Sequence, residues 1–383
     1  VNDQLKRIWQ YMYEGVNRAN YMVENKDKFD FPGFDRRKNE LYGEVHFLRA
    51  FFYFELVKIY GDVPLFTNGR LTAGDSGTLQ RVPKSDVYSV IESDLQAAIN
   101  ALPAKKSSDG RATSFTAHAL LGKVYLYQEK FAEAANILEP LIGLYTLPSD
   151  PGSVFLVEGE NGPESVFEIQ HSKESNGWNW GWMPQSTEGN FGVIHHGIRG
   201  YSGPVYSSGW SFNVPTQDLV DAFDATDKRK NASVLDIVDW ADANGASYAE
   251  GYEHTGYFNN KYIPRAGYSK NTTELNYENN YRYIRYADVL LMAAEANNRG
   301  GISDSKAQNY LNQVRSRAGV SSINETGSSL TQAIWDERRL EFAGEGHRFF
   351  DLVRTGQAGN EISGFVVGKH EVFTIPQTEN DIY

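Results

Sequence analysis

The sequence predicts a mainly α fold: a tetratricopeptide-like α-α superhelix of helix pairs with a large loop-rich insertion carrying short strands. Three observations predict it. Apolar residues recur at three- and four-residue spacing near both ends of the chain, the period of a buried helix face. From about Leu147 to Tyr281 that period is lost, and Gly, Pro, Asn, Ser and Trp dominate. Leu121-Gly122-x-x-Tyr125, followed by Phe131 and Ala134, matches much of the tetratricopeptide pattern. The expected organisation is one domain over 1–383, in which residues 1–145 form an N-terminal helical, tetratricopeptide-like portion and residues 146–383 a second portion. The second portion divides into a loop-rich insertion, 146–281, and C-terminal helices, 282–383.

Each element has its own reason. Ile8, Tyr11, Met12, Gly15, Val16 and Ala19 form one helix face, which Phe31-Pro32-Gly33 ends. A helix from about Lys38 to Tyr60 carries Phe47, Phe51 and Phe54 on one side and Leu48, Phe52 and Leu56 on another. Two apolar sides predict a sandwiched helix. Gly61 and Pro64 stop it. After a polar loop from Thr67 to Gln80, Ser85 is the expected N-cap of a helix that Leu102-Pro103 ends. Thr113 opens the next helix pair. Within the insertion, the alternation over Ser165 to Gln170 predicts a short strand, and Thr216 caps a helix to Phe223. Helices return from Ile284, over Ser303 to Ala318, and over Leu330 to Arg354. Helix pairs that bury their faces against one another make a solenoid-like stack.

Composition excludes several functions. The formal net charge of -12 and the absence of a Lys/Arg run argue against a nucleic-acid partner. There is no Cys, so disulfides, thiol catalysis and cysteine metal sites are excluded. No apolar run approaches the ~20 residues of a membrane span. The aromatic content is 13%, with 23 Tyr and 7 Trp; a large helical core with Tyr at its edges accounts for most of them, and a wet binding surface suited to their polar tips would explain the remainder.

Three stretches in order are similar to signature segments of the SusD/RagB family: His46 to Leu65, Ile284 to Ala296 and Glu337 to Arg354. Trp9 to Asn20, Val214 to Phe223 with Asp227 to Arg229, and Ile375 to Gln377 support the resemblance, which runs from about Trp9 to the end of the chain. The resemblance implies a lipid-anchored protein on the extracellular face of a Gram-negative outer membrane. It implies a SusC-like TonB-dependent transporter as partner and a glycan as ligand. It also implies an acylated N-terminal Cys and roughly a hundred residues before the Trp9 segment, which this chain lacks, so the chain is expected to be a fragment whose anchor and some of whose first repeat lie elsewhere.

The sharpest constellation for such a ligand is Asn176, Trp178, Asn179, Trp180 and Trp182. Flat indoles stack on the C–H faces of sugar rings while Asn amides hydrogen-bond hydroxyls. If the stretch is extended, the three indoles share one side; the alternative is that they pack into the helical core. Tyr206 and Trp210 in a second Gly/Ser-rich loop, then Tyr201 and Arg199, complete the candidates. No metal site and no cofactor is expected: His195 and His196 are adjacent and lack a third ligand at suitable spacing. No catalytic residue is expected either. Glu337, Glu341 and Glu345 share a helix face, but nearby Arg residues at three- and four-residue offsets favour an ion-pair network over a glycosidase pair. Two further readings stand beside glycan capture: a tetratricopeptide-like scaffold for proteins or peptides, and a glycoside hydrolase.

Overall fold

The computed structural model describes every residue except 1–2, 29–32, 73–74, 76–78, 106–107, 175–187, 271–275 and 381–383. The chain divides into two compact units, 1–141 with 349–383, and 142–348. The fold is mainly helical with a few two-stranded pairings, the class expected from the hydrophobic periods.

The first unit holds α1 (Asp3–Glu24), α2 (Asp35–Tyr60), α3 (Lys84–Ala101), α4 (Ser114–Tyr127) and α5 (Phe131–Leu138). A short antiparallel pair, β1 (Val63–Pro64) with β2 (Arg81–Val82), joins α2 to α3. Phe47, Phe54 and Leu56 of α2 are fully buried, as a helix enclosed by neighbours requires. Polar groups tie the same helices together. Buried Arg49 of α2 grips Asp94 of α3 through two bonds of 2.6 and 2.7 Å and donates to Asn20 of α1 at 2.8 Å. A buried charge left alone would be expensive, and this fork satisfies it. Thr113 caps α4 in a reciprocal pair with Thr116. Ser85, by contrast, lies inside α3. Pro83 precedes the helix, and the Asp62 carboxylate accepts the Lys84 N–H at 2.8 Å in place of a local cap.

The second unit carries the insertion and the next helices. Strand β3 (Ser165–Ile169) pairs antiparallel with β6 (Tyr281–Arg285), and β4 (Val234–Asp236) pairs with β5 (Tyr257–Asn259). Short helices α6 (Gly192–His195), α7 (Gln217–Ala222), α8 (Arg229–Ser233) and α9 (Ile237–Asn244) punctuate the loops. The long helices are α10 (Tyr286–Arg299), α11 (Asp304–Ala318) and α12 (Gly327–Glu341). Two expected boundaries shift. Ile284 and Arg285 end a strand and do not begin α10. The helix expected over Leu330 to Arg354 breaks after Glu341, because Gly344 and Gly346 take φ of +77° and +83°, and it resumes as α13 (Arg348–Arg354).

The C-terminal segment, with α14 (Ala358–Glu361) and α15 (Gln377–Asn380), returns to the first unit. There the Phe373 N–H donates to Ile59 O at 2.8 Å, and Lys58 lies 4.6 Å from the Phe350 ring centre. Among the described residues, no helix is long and apolar enough to cross a membrane.

Candidate functional site

An exposed aromatic patch forms where two loop segments of the second unit cross. Trp210, Ser211 and Phe212 donate backbone N–H groups to Ile194, Gly197 and His195 at 3.0, 2.8 and 2.7 Å, and Gly209 donates to Ile198 at 2.7 Å. Close approach makes this zip possible. A Cβ on Gly209 would sit 2.2 Å from the Gly197 Cα, and one on Gly197 would sit 2.6 Å from Pro264 Cγ. Ser211 and Asn213 adopt φ of +58° and +53°, so the second segment turns sharply on either side of Phe212.

The crossing gathers four rings. His195 lies 5.0 Å from Trp210 and 5.8 Å from Phe212, while Phe191 meets its edge at 5.7 Å. Trp210 and Phe212 are 6.3 Å apart in an edge-to-face pair. Trp210 is half-buried against Val193, Ile194 and Tyr277. Phe212 and Phe191 stay 55% and 41% exposed. Clustered exposed rings of this kind mark an interaction surface. Polar groups border it. The Arg199 guanidinium donates to Trp210 O at 2.7 Å, and its backbone N–H donates to Ser211 Oγ at 3.1 Å. Gly251 packs against Ser211, which brings Tyr252, 87% exposed, to the same edge.

The histidines of the patch are held neutral. Burial pushes His195 below its ordinary pKa. Burial pushes His196 down to about 4, more than its hydrogen bond to Gly192 O raises it. His196 Nδ1 donates to Gly192 O at 3.0 Å, so Nε2 is left to accept from Asn213 Nδ2 at 3.1 Å. Both ring nitrogens are thereby used. Among the described residues no group of three His, Cys, Asp or Glu could hold a metal.

The other candidates fall in different places. Asn176, Trp178, Asn179, Trp180 and Trp182 lie outside the described residues. The chain on either side of them is joined: Ser172 N–H donates to Glu188 O at 3.0 Å, and Glu188 stands three residues before Phe191. Tyr201 and Tyr206 are buried with Ile198, Leu235, Ile237, Phe258 and Ile263. The Tyr201 hydroxyl donates to Pro204 O at 2.7 Å and accepts Trp240 Nε1–H at 3.0 Å; Tyr206 lies under the Arg265 guanidinium at 5.2 Å. In this arrangement the two tyrosines brace the loop from beneath. Phe191, Phe212 and Tyr252 are not singled out by sequence pattern. The Trp-Ser-Phe alternation at 210–212 was the available signal.

The carboxylates of α12 and the turn after it belong to a buried ion cluster. Asp227, Glu164, Glu337, Glu341 and Glu345 face Arg229, Lys261, Arg285, Arg315 and Arg317, five charges of each sign. The partners come from distant segments and not from the Arg residues one helical turn away: Arg338 pairs with Asp288 and Arg339 with Asp218. Burial alone would raise the Glu341 carboxyl, but Arg317, Arg285 and Arg229 outweigh it and hold the group far below the carboxylate range. Burial likewise acts on Glu345 and is outweighed by Arg285 and Lys261. On Glu337 burial prevails over Arg229 and Arg315 and raises the carboxyl. Elsewhere in the unit, burial lifts Glu160 to about 7, although it accepts the Asn280 N–H at 2.7 Å and lies 3.4 Å from Arg282.

A family model described as "SusD family" matches residues 238–380, and one described as "Starch-binding associating with outer membrane" matches 1–126. SusD-like protein P2 of Formosa agariphila is 28% identical over 385 residues, 95% of this chain and 74% of that protein. A solved structure titled "Laminarin binding SusD-like protein" is 38% identical, with a TM-score of 0.89 over 98% of this chain and 83% of that one. Surface glycan-binding protein A from Bacteroides thetaiotaomicron, solved in complex with laminarihexaose, is 28% identical with a TM-score of 0.80, over 97% of this chain and 80% of that one.

Proposed function

The chain belongs to the SusD family, and from that premise we propose that it is a non-catalytic oligosaccharide receptor at the outer-membrane surface. Its ligand class is a β-1,3-glucan of the laminarin type, handed on to a SusC-like TonB-dependent transporter. The aromatic patch carries this reading. Phe212 and Phe191 offer flat apolar faces to the C–H side of sugar rings, while Arg199 and Asn213 border them with hydrogen-bonding groups. The rings are oriented by backbone bonds of the crossing, so little ordering remains to be done on binding. The laminarin-binding relative and the laminarihexaose complex supply the choice of glucan. Under the same proposal the indoles of Trp178, Trp180 and Trp182 also stack on the glycan. Each stacked ring contributes modestly, and several along one chain raise affinity by multivalency.

Capture without cleavage also fits the carboxylates. Glu337, Glu341 and Glu345 are buried among cations and reach no solvent-borne substrate. The testing experiment is a calorimetric titration with laminarin, laminarihexaose and maltohexaose, followed by an overnight assay for new reducing ends. Saturable binding of the laminarin series without new reducing ends is the expected result. Release of reducing ends overturns the non-catalytic assignment and directs attention to Glu160. Indifference to all three glycans overturns the receptor assignment and favours the protein-binding scaffold.

A further inference from the structure

A second recess of the same unit shares no lining residue with the aromatic patch. The loop 143–149 and one face of α11 enclose an open trough of about 820 Å³. Ser305, Asn309, Asn312, Gln313 and Ser316 present that face, spaced as the turns of a helix dictate. Over eleven residues they extend about 16 Å along the axis. The volume falls within the usual ~300–1,000 Å³ of small-ligand sites.

Tyr145 and Tyr286 bring aromatic character to the trough, their rings 5.8 Å apart and tilted by 35°. Tyr286 is buried and its hydroxyl accepts the Gly143 N–H at 2.7 Å, which fixes the loop against the helix. Tyr145 is only partly covered, and its hydroxyl has no hydrogen-bond partner among the described residues. Gln313 Nε2 donates to Asn309 Oδ1 at 2.9 Å, which orients both amides yet leaves the Asn309 NH₂ and the Gln313 carbonyl without partners among the described residues. Arg317 is the one charged residue of the lining and is paired with Glu164 and Glu341; its buried Nε–H finds no acceptor among the described residues.

The ligand class follows from this chemistry. No unpaired cation is available for a phosphate or an acidic ligand, and no carboxylate lines the trough for a basic one. An extended peptide needs pockets for alternate side chains, and Leu147 is the single aliphatic residue of the lining. Main-chain recognition on this helix is already assigned to its own sequel. Asn312 exchanges bonds of 2.9 and 2.8 Å with Ile323, and Gln308 donates to Glu325 O at 2.8 Å. What remains is a neutral set of amides and hydroxyls beside a tyrosine ring, the combination that suits a neutral polyhydroxylated chain. We infer that the trough between loop 143–149 and α11 is a second site for a neutral oligosaccharide, separate from the aromatic patch.

Four proteins test it by calorimetry with laminarihexaose, maltohexaose and mannohexaose: native, W210A/F212A, N309A/Q313A and the quadruple variant. Asn309 and Gln313 lie on a helix surface where Ala is well tolerated, and a melting curve checks each fold. N309D/Q313E, which preserves side-chain size, serves as the second version of the trough change. The expected result is two equivalents of at least one hexasaccharide on the native chain. W210A/F212A then keeps one equivalent, and the quadruple variant loses at least tenfold of that residual affinity. Absence of residual binding in W210A/F212A overturns the trough and leaves the patch standing. Residual binding unchanged in the quadruple variant also overturns it. Binding lost in N309A/Q313A but unaffected by W210A/F212A supports the trough and removes the patch.

Discussion

Glu341→Gln strikes the centre of the buried ion cluster. Its Oε1 lies 2.6 Å from Arg285 Nη1 and also receives Arg317, and its Oε2 lies 3.2 Å from Arg229. The amide keeps the shape and removes the charge, so five cations, four of them buried, face four carboxylates. Breaking a buried pair by removing one partner costs about 3–5 kcal/mol, since the surviving charge is left uncompensated. The pH dependence has a definite sign. The Glu341 carboxyl is held far below its unfolded value of 4.5, so its stabilisation is complete above about that pH and drains away as pH falls beneath it. Urea unfolding of both proteins at pH 7 and pH 3, followed by far-ultraviolet dichroism, measures the difference. Glu341→Gln should lower the midpoint strongly at pH 7 with little change in slope, and the gap should narrow at pH 3. A loss below about 1 kcal/mol at pH 7, or an equal gap at both pH values, refutes the account.

Phe212→Ala should weaken laminarihexaose binding about tenfold, near 1.4 kcal/mol, with an unchanged melting temperature because the ring is largely exposed; calorimetry and a melting curve check the two halves. Gly209→Ala should lose both, since its Cβ would meet Gly197 at 2.2 Å and overpacking costs about 1–3 kcal/mol; the two measurements should fall together. His196 titrates near 6.5 unfolded and about 4 folded, so stability should be full above pH 6.5 and decline from there toward pH 4; His196→Asn should flatten that stretch of the urea midpoint–pH curve. Glu160 runs the other way. Burial raises it to about 7, so its contribution is present below pH 4.5 and lost as pH rises through 7, and Glu160→Gln should stabilise the chain at pH 8 relative to native while leaving pH 4 unchanged.

Local signals were legible wherever the chain itself supplies the partner. Thr216 caps its helix as expected, and Thr113 and Ser303, where helices were expected to begin, act as caps too, since each of the three accepts an N–H from three residues ahead. Ser85 failed because Asp62, far off in sequence, took that role. The end of strand β6, Ile284-Arg285, runs directly into α10 and reads equally well as the helix start, and only the facing β3 decides between them. Helix α9 carried an Asp236 cap and a Gly245 terminator in left-handed conformation, signals that the loop-rich composition around them obscured. At the site, Trp210 and Arg199 were legible as residue types. Which aromatics end exposed depends on the crossing at Gly197 and Gly209, a contact between segments that no local pattern encodes. Trp178, Trp180 and Trp182 lie outside the described residues, and their proposed role in glycan binding is tested by the same titrations.

The return of the last segment, 349–383, to the first unit bears on how the molecule is made. A ribosome delivers residues 1–141 first and their final partners last, with all of 142–348 emerging in between. At about 5–20 residues per second that interval lasts roughly 10–40 s. During it the Ile59 carbonyl lacks the Phe373 N–H, and Lys58 lacks the Phe350 ring. The nascent first unit thus waits unfinished while the second can close as an insert. For that interval the apolar surfaces that the last segment covers stay open to other chains, so the order of synthesis is itself a folding constraint.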